Sequence, residues 1–385
     1  MVEVIKKNSN FSGRFYLLDI ARAVAAICVV LHHYQHFYFV APNIYQKNFS
    51  RSQQPFFEII EPFYQFGSIA VQFFFVLSGF IFFFKYKDVI SSKNISFKNF
   101  IILRISRLYP LHLFTLFFMV FIQFYYQRLN GEYYVYQDGN TLKNFILHFF
   151  LIQEWGFNSG WGFNAASWSI SVEFLLYITF FYIALTGIKN LLQSLYILLL
   201  ILILYCFMHP AIGNLMIGFL CFYIGGVTYF IYLKLHELIN ASFKKKLFII
   251  FFLIILDVLI FGKFFNSFFL KTQINLDFLI GDRLMLLLLF VKFPLIIINL
   301  NLIQSFFINL GKPLKLLGDV SYAIYLTHVP IEVVYSLIDK KFIDINFDDN
   351  YIFLSYLFSV IIFSFLIFNF FEKPLKDAIR KKLVY

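Results

Sequence analysis

Windows of about 20 predominantly apolar residues recur along the whole chain, and each is long enough for a helix to cross the roughly 30 Å hydrocarbon core of a bilayer. They read as 15–38, 67–86, 108–126, 168–187, 190–208, 212–233, 246–264, 278–298, 319–338 and 351–371. Inside hydrocarbon every backbone N–H and C=O must find its partner within the segment, so such windows fold as helices. The expectation is an all-α polytopic membrane protein of about ten transmembrane helices. A shorter run, 142–153, cannot span and reads as an interfacial or re-entrant helix. Composition agrees: 61% of the 385 residues are hydrophobic and 58 are Phe, more than a water-soluble domain could enclose.

Lys and Arg placement orients the windows. With the N-terminus inside, the cytoplasmic termini and loops hold 21 of the 32 Lys and Arg and the outer loops hold 8; Arg22, Arg283 and Lys292 fall within windows. The bias places both termini in the cytoplasm. It also accounts for the net charge of +11 through anionic lipid headgroups, with no call on nucleic acid as a partner. Cys28, Cys206 and Cys221 all lie in apolar runs, which suggests neither a disulfide framework nor a zinc site. No internal repeat or soluble segment is evident, so residues 1–385 read as one membrane domain. The two longest loops, 39–66 and 127–167, both fall outside. The second carries Trp155 and Trp161 among glycines and suits an ordered cover over a cavity.

The first window, 15-FYLLDIARAVAAICVVLHHYQHFY-38, carries charge where charge is costly. Arg22 and His33 are 11 positions apart, which at about 100° per residue brings them within about 20° on one face. Asp19 precedes Arg22 by three residues and shares that side. The three form a polar stripe, with Arg22 and His33 about 16 Å apart along the axis. His32 and His36 stand at i,i+4 but have no carboxylate or Cys beside them in sequence, so no metal site is expected.

These residues resemble the Arg-x10-His signature of the acyltransferase family 3 membrane proteins, of the O-antigen acetylase type. Five more segments fit in order: 71-VQFFFVLSGFIF-82, 104-RISRLYPLHL-113, 168-WSISVEFLLY-177, 318-GDVSYAIYLTHVP-330 and 371-FEKPL-375. The family's Leu-Asp-Gly-x-Arg-Gly opening departs here, where Ile20 and Ala23 replace both glycines. The extra C-terminal esterase-like domain of many members is not expected, because the chain ends soon after its last window.

The resemblance implies acetyl-CoA as a co-substrate held at the cytoplasmic face, with no permanently bound cofactor, and an exported glycan such as O-antigen, capsule or another exopolysaccharide as acceptor. It also implies a multi-pass protein of the bacterial inner membrane. Acyl transfer to a hydroxyl needs a base and stabilisation of the developing oxyanion. His33 is the candidate base, since imidazole titrates near neutral pH. Glu173 is the candidate carboxylate to orient it, because both residues lie about five positions below the outer surface. Arg104 and Arg107, at the cytoplasmic mouth of the third window, suit the CoA phosphates. Arg22 would steer the pyrophosphate or pantetheine, with Asp19 orienting Arg22. Trp168, Ser169 and Ser171 beside Glu173, with Ser321, Tyr322, Tyr325 and His328 on the ninth window, read as lining the path. Arg283 reads as a contact for an anionic acceptor, and His112 and His148 read as structural. A multispan glycan exporter or a coupled transporter would use a similar stripe. A transporter more often shows paired halves with broken helices.

Overall fold

The computed structural model describes residues 14–41, 44–47, 49–135, 139–157, 160–239, 251–255 and 285–383. The described chain is almost wholly helical. Helices α1 (Tyr16–His33), α2 (Phe57–Phe66), α3 (Ala70–Ser91), α4 (Phe97–Asn130), α5 (Leu142–Phe149) and α6 (Trp168–Leu185) are followed by α7 (Leu191–Ile239). Next come α8 (Phe293–Phe306), α9 (Lys315–Lys341), α10 (Asn350–Ile367) and α11 (Lys373–Leu383). Two short antiparallel strands, Phe39–Ala41 and Ile44–Tyr45, follow α1.

Eight helical segments among the described residues are long and apolar enough to cross a membrane, and the molecule is an all-α polytopic membrane protein. α7 supplies two of them, Leu191–His209 and Ile212–Leu238, separated by non-helical backbone at Ile212. The window 319–338 is the middle of α9, a 27-residue helix that is too polar to count among the eight. The window 246–264 lies largely outside the described residues, so a count of ten is not reached among them. The 142–153 run forms only the eight-residue α5.

Burial explains why α9 tolerates its polar residues. Ser321, Thr327, His328 and Glu332 are all buried, so they face other helices rather than lipid. α9 packs on α1, α4 and α10. Its Gly318 lies so close to Asp19 that a Cβ there would collide with the Asp19 backbone and side chain. The close approach to α1 therefore survives the loss of glycines at Ile20 and Ala23, because the small residue sits on the partner helix. α3 and α7 meet in the same way: a Cβ at Gly79 or Gly225 would strike the Phe222 or Val76 carbonyl.

α10 begins at Asp349, whose Oδ1 accepts from the backbone N–H of Tyr351 and Ile352 at 2.6 and 3.2 Å. Asp349→Ala should cost about 1 kcal/mol, the usual effect of losing such a cap. In a chain of this size that is a fall of about 2 °C in thermal midpoint, measured on detergent-solubilised protein. A midpoint equal to wild type would show that water replaces the cap without loss.

Candidate active site

The polar stripe on α1 forms, and each end of it has its own surroundings. Arg22 Nη1 donates to Asp19 Oδ1 at 3.0 Å, and Asp19 also pairs with Arg14. Arg14 reaches across to Asp319 Oδ1 of α9 at 2.5 Å. The expected Asp19–Arg22 pair is thus one part of a four-residue ion network that ties α1 to α9.

Around Arg22 open two adjoining cavities of about 240 and 270 Å³. Arg22, Lys85, Arg107, Tyr322 and Arg380 line both. Both members of the expected pair, Arg104 and Arg107, line the smaller cavity, and Arg107 also lines the larger. Arg104 is 7% exposed and lies against the rings of Phe82, Tyr86, Phe100 and Tyr177, its Nη2 donating to the Tyr86 hydroxyl at 2.6 Å. Its Nε, although buried, has no hydrogen-bond partner among the described residues. Lys85 and Arg380 were not expected in the site. Both lie in basic flanks of the spans, where a charge bias alone would place Lys and Arg. Arg380 is held by α4, donating to Ser106 Oγ at 3.0 Å and the Leu103 carbonyl at 3.2 Å.

Glu173 does not meet His33. Its Oε1 accepts from Ser78 Oγ at 3.2 Å and from the Tyr177 hydroxyl, and it lines the smaller cavity with Arg22 and Arg107. Matching depth across the bilayer says nothing about azimuth. α6 packs on α3, and that contact turns Glu173 toward Ser78 instead of α1.

At the other end of the stripe His33 finds different partners. Its Nδ1 shares a 2.7 Å hydrogen bond with His328 Nε2 of α9. Its ring stacks on His36, with centroids 4.8 Å apart. His36 Nδ1 bonds to Glu332 Oε2 at 2.9 Å, and the Tyr356 hydroxyl donates to Glu332 Oε1 at 3.2 Å. The carboxylate that His36 lacks in sequence is supplied by α9. Glu332 was missed, although 328-HVPIE-332 puts it at i,i+4 from His328 and so on the same face. His32 points away, its Nδ1 against the Tyr64 carbonyl at 2.8 Å.

The remaining expected residues sort by geometry. Ser169, Ser321, Tyr322 and Tyr325 line the smaller cavity. Ser169 Oγ and the Tyr325 hydroxyl are 2.8 Å apart, and the Tyr325 ring lies 6.0 Å from that of His328. This pair joins the cationic cavity to the histidines. Ser171 instead braces the 150–164 loop, donating to the Leu151 carbonyl at 2.9 Å and accepting from Glu154 N at 3.2 Å. Trp168 packs edge-on to Phe75 and Trp161 and is not among the residues lining the two cavities around Arg22. Arg283 lies outside the described residues. His112 and His148 bond to backbone: His112 Nε2 to the His148 carbonyl at 2.8 Å, and His148 Nδ1 to the Asn144 carbonyl at 2.9 Å.

The helices therefore define a multi-pass membrane protein in which a cluster of cations and a cluster of histidines share one helix face. The chain belongs to a family of acyltransferases: the model of the acyltransferase domain matches residues 15–369, nearly its whole length. It is a membrane acyltransferase. No curated protein and no solved structure matches it.

Proposed function

We propose that the protein transfers an acetyl group from acetyl-CoA to a hydroxyl of an exported glycan, in the bacterial inner membrane with both termini cytoplasmic. The observation that carries this reading is the two-ended stripe on α1, with a cation-lined cavity at Arg22 and paired histidines at His33. The cationic end faces the cytoplasm, where the donor is made. Arg22, Lys85, Arg107 and Arg380 suit the CoA phosphates, and Arg binds such groups bidentately. The thioester end of the pantetheine reaches past Ser169 and Tyr325 toward His33.

His328 holds His33 Nδ1, and His33 Nε2 makes no hydrogen bond among the described residues. That nitrogen takes the proton of the acceptor hydroxyl as its oxygen attacks the thioester carbonyl. The carbon–sulfur bond then breaks and CoA leaves as thiolate. Glu332 holds His36 by a hydrogen bond, and the His36 ring stacks on that of His33 and keeps it in place. The acceptor enters from the outer face, where a cavity of about 480 Å³ runs between His36 and the loops around Tyr38 and Asp348.

Mass spectrometry of envelope glycans from strains with and without the protein tests the reaction. Loss of one acetyl increment from O-antigen, capsule or another exopolysaccharide supports it, and unchanged glycan acetylation overturns it. The donor site has its own test. Arg107→Ala should raise the KM for acetyl-CoA about 10- to 100-fold with a smaller effect on kcat, the usual loss for a hydrogen bond to a charged group. An unchanged KM with a lost kcat would remove Arg107 from the donor site.

A further inference from the structure

We propose that His33, His328 and Glu332 form a binding site for a divalent transition-metal ion, and that Zn2+ bound there inhibits the enzyme. One ligand atom from each of the three residues lies within 4.8 Å of the others. Two imidazoles and a carboxylate, with a fourth position for water, are a donor set that Zn2+ accepts. His328 and Glu332 are fully buried, on a helix held by packing on three sides, so two of the three ligands are positioned in advance. The 2.7 Å between His33 Nδ1 and His328 Nε2 is closer than two ligands on one tetrahedral ion with bonds of about 2.0–2.1 Å. They need to open by about 0.6 Å, with the ion replacing the proton between them.

The surroundings favour a cation. A ligating carboxylate is commonly fixed by an outer hydrogen bond, and Glu332 already has two, from Tyr356 and His36. Each carboxylate oxygen has a second lone pair left for a metal. The cavity that reaches His36 is lined by Glu132, Asp339, Asp344 and Asp348 against Lys47 and Lys340. A cleft of that sign concentrates cations. Sequence spacing offered the wrong pair, His32 and His36. The structure replaces it with ligands from two helices.

Metal binding does not depend on the proposed reaction; inhibition does, because an ion on His33 Nδ1 leaves the proton of the neutral ring on Nε2, the nitrogen that must act as the base. Calorimetry with ZnCl2 on the purified full-length chain in detergent should give one Zn2+ per chain. Glu332→Gln keeps the size of the side chain and one acceptor oxygen but removes the charge, and should weaken binding at least about 10-fold. His328→Asn should weaken it further, and His32→Ala should bind as wild type. Zn2+ at concentrations that fill the site should stop acyl transfer, and a chelator should restore it. Absence of binding, or binding indifferent to Glu332→Gln and His328→Asn, overturns the site. Binding that follows these residues without any inhibition keeps the site and overturns His33 as the base.

Discussion

His33→Ala should lower acyl transfer on the order of 10²–10⁴-fold, the usual contribution of a positioned general base, while leaving the amount of protein in the membrane unchanged. The imidazole is only partly buried and contributes no ion pair, so its removal should not unfold the bundle. Buried His328 loses one hydrogen bond, a cost of about 1–3 kcal/mol. His32→Ala is the control. It alters the adjacent residue, but that ring bonds to the Tyr64 carbonyl and to Gln35 at 3.2 Å, away from His328. Acyl transfer from acetyl-CoA in proteoliposomes, normalised to membrane protein by immunoblot, checks both variants. Near-wild-type transfer by His33→Ala, or loss with His32→Ala, would move the base elsewhere.

How much of this could be read from sequence depends on which interactions are local. The apolar windows mark the spans because burial in lipid demands a continuous run. Asp19 and Arg22 are three apart on one helix, so their contact follows from helical period alone. The face shared by Arg22 and His33 is legible for the same reason. α9 is legible as the window 319–338, but that its Ser, Thr, His and Glu are enclosed by other helices rather than facing lipid is not, because it depends on packing against α1, α4 and α10. Lys85 and Arg380 are hidden in another way. They belong to basic flanks that a charge bias alone explains, and only the return of α11 onto α4 brings Arg380 beside Arg104 and Arg107. Ser171 shows the converse: 168-WSISVE-173 looks like a polar lining, but alternate positions point apart, Ser169 toward Tyr325 and Ser171 toward the loop carbonyl of Leu151.

The two acidic residues separate these effects most sharply. Glu332→Gln should lower kcat about 10- to 100-fold with little change in the KM for acetyl-CoA, the range usual for loss of an outer hydrogen-bond partner, because Glu332 fixes His36 and the His36 ring stacks on His33. Glu173→Gln should act on the donor side, changing that KM, because Glu173 shares its cavity with Arg22 and Arg107. Glu332→Gln is preferred to Ala because a buried carboxylate removed outright takes away the acceptor of the hydrogen bonds from His36 and Tyr356, about 1–3 kcal/mol for each buried group left unsatisfied. Double variants then assign each carboxylate. Residues that act as a unit lose activity non-additively, so adding Glu332→Gln to His33→Ala should cost nothing more. Adding Glu173→Gln to His33→Ala should still shift the KM of the residual activity. The reverse pattern, with Glu173 silent in the His33→Ala background and Glu332 additive, would make Glu173 the carboxylate that serves the base. The bonds of Glu173 to Ser78 and Tyr177 would then have to give way once donor and acceptor are both bound.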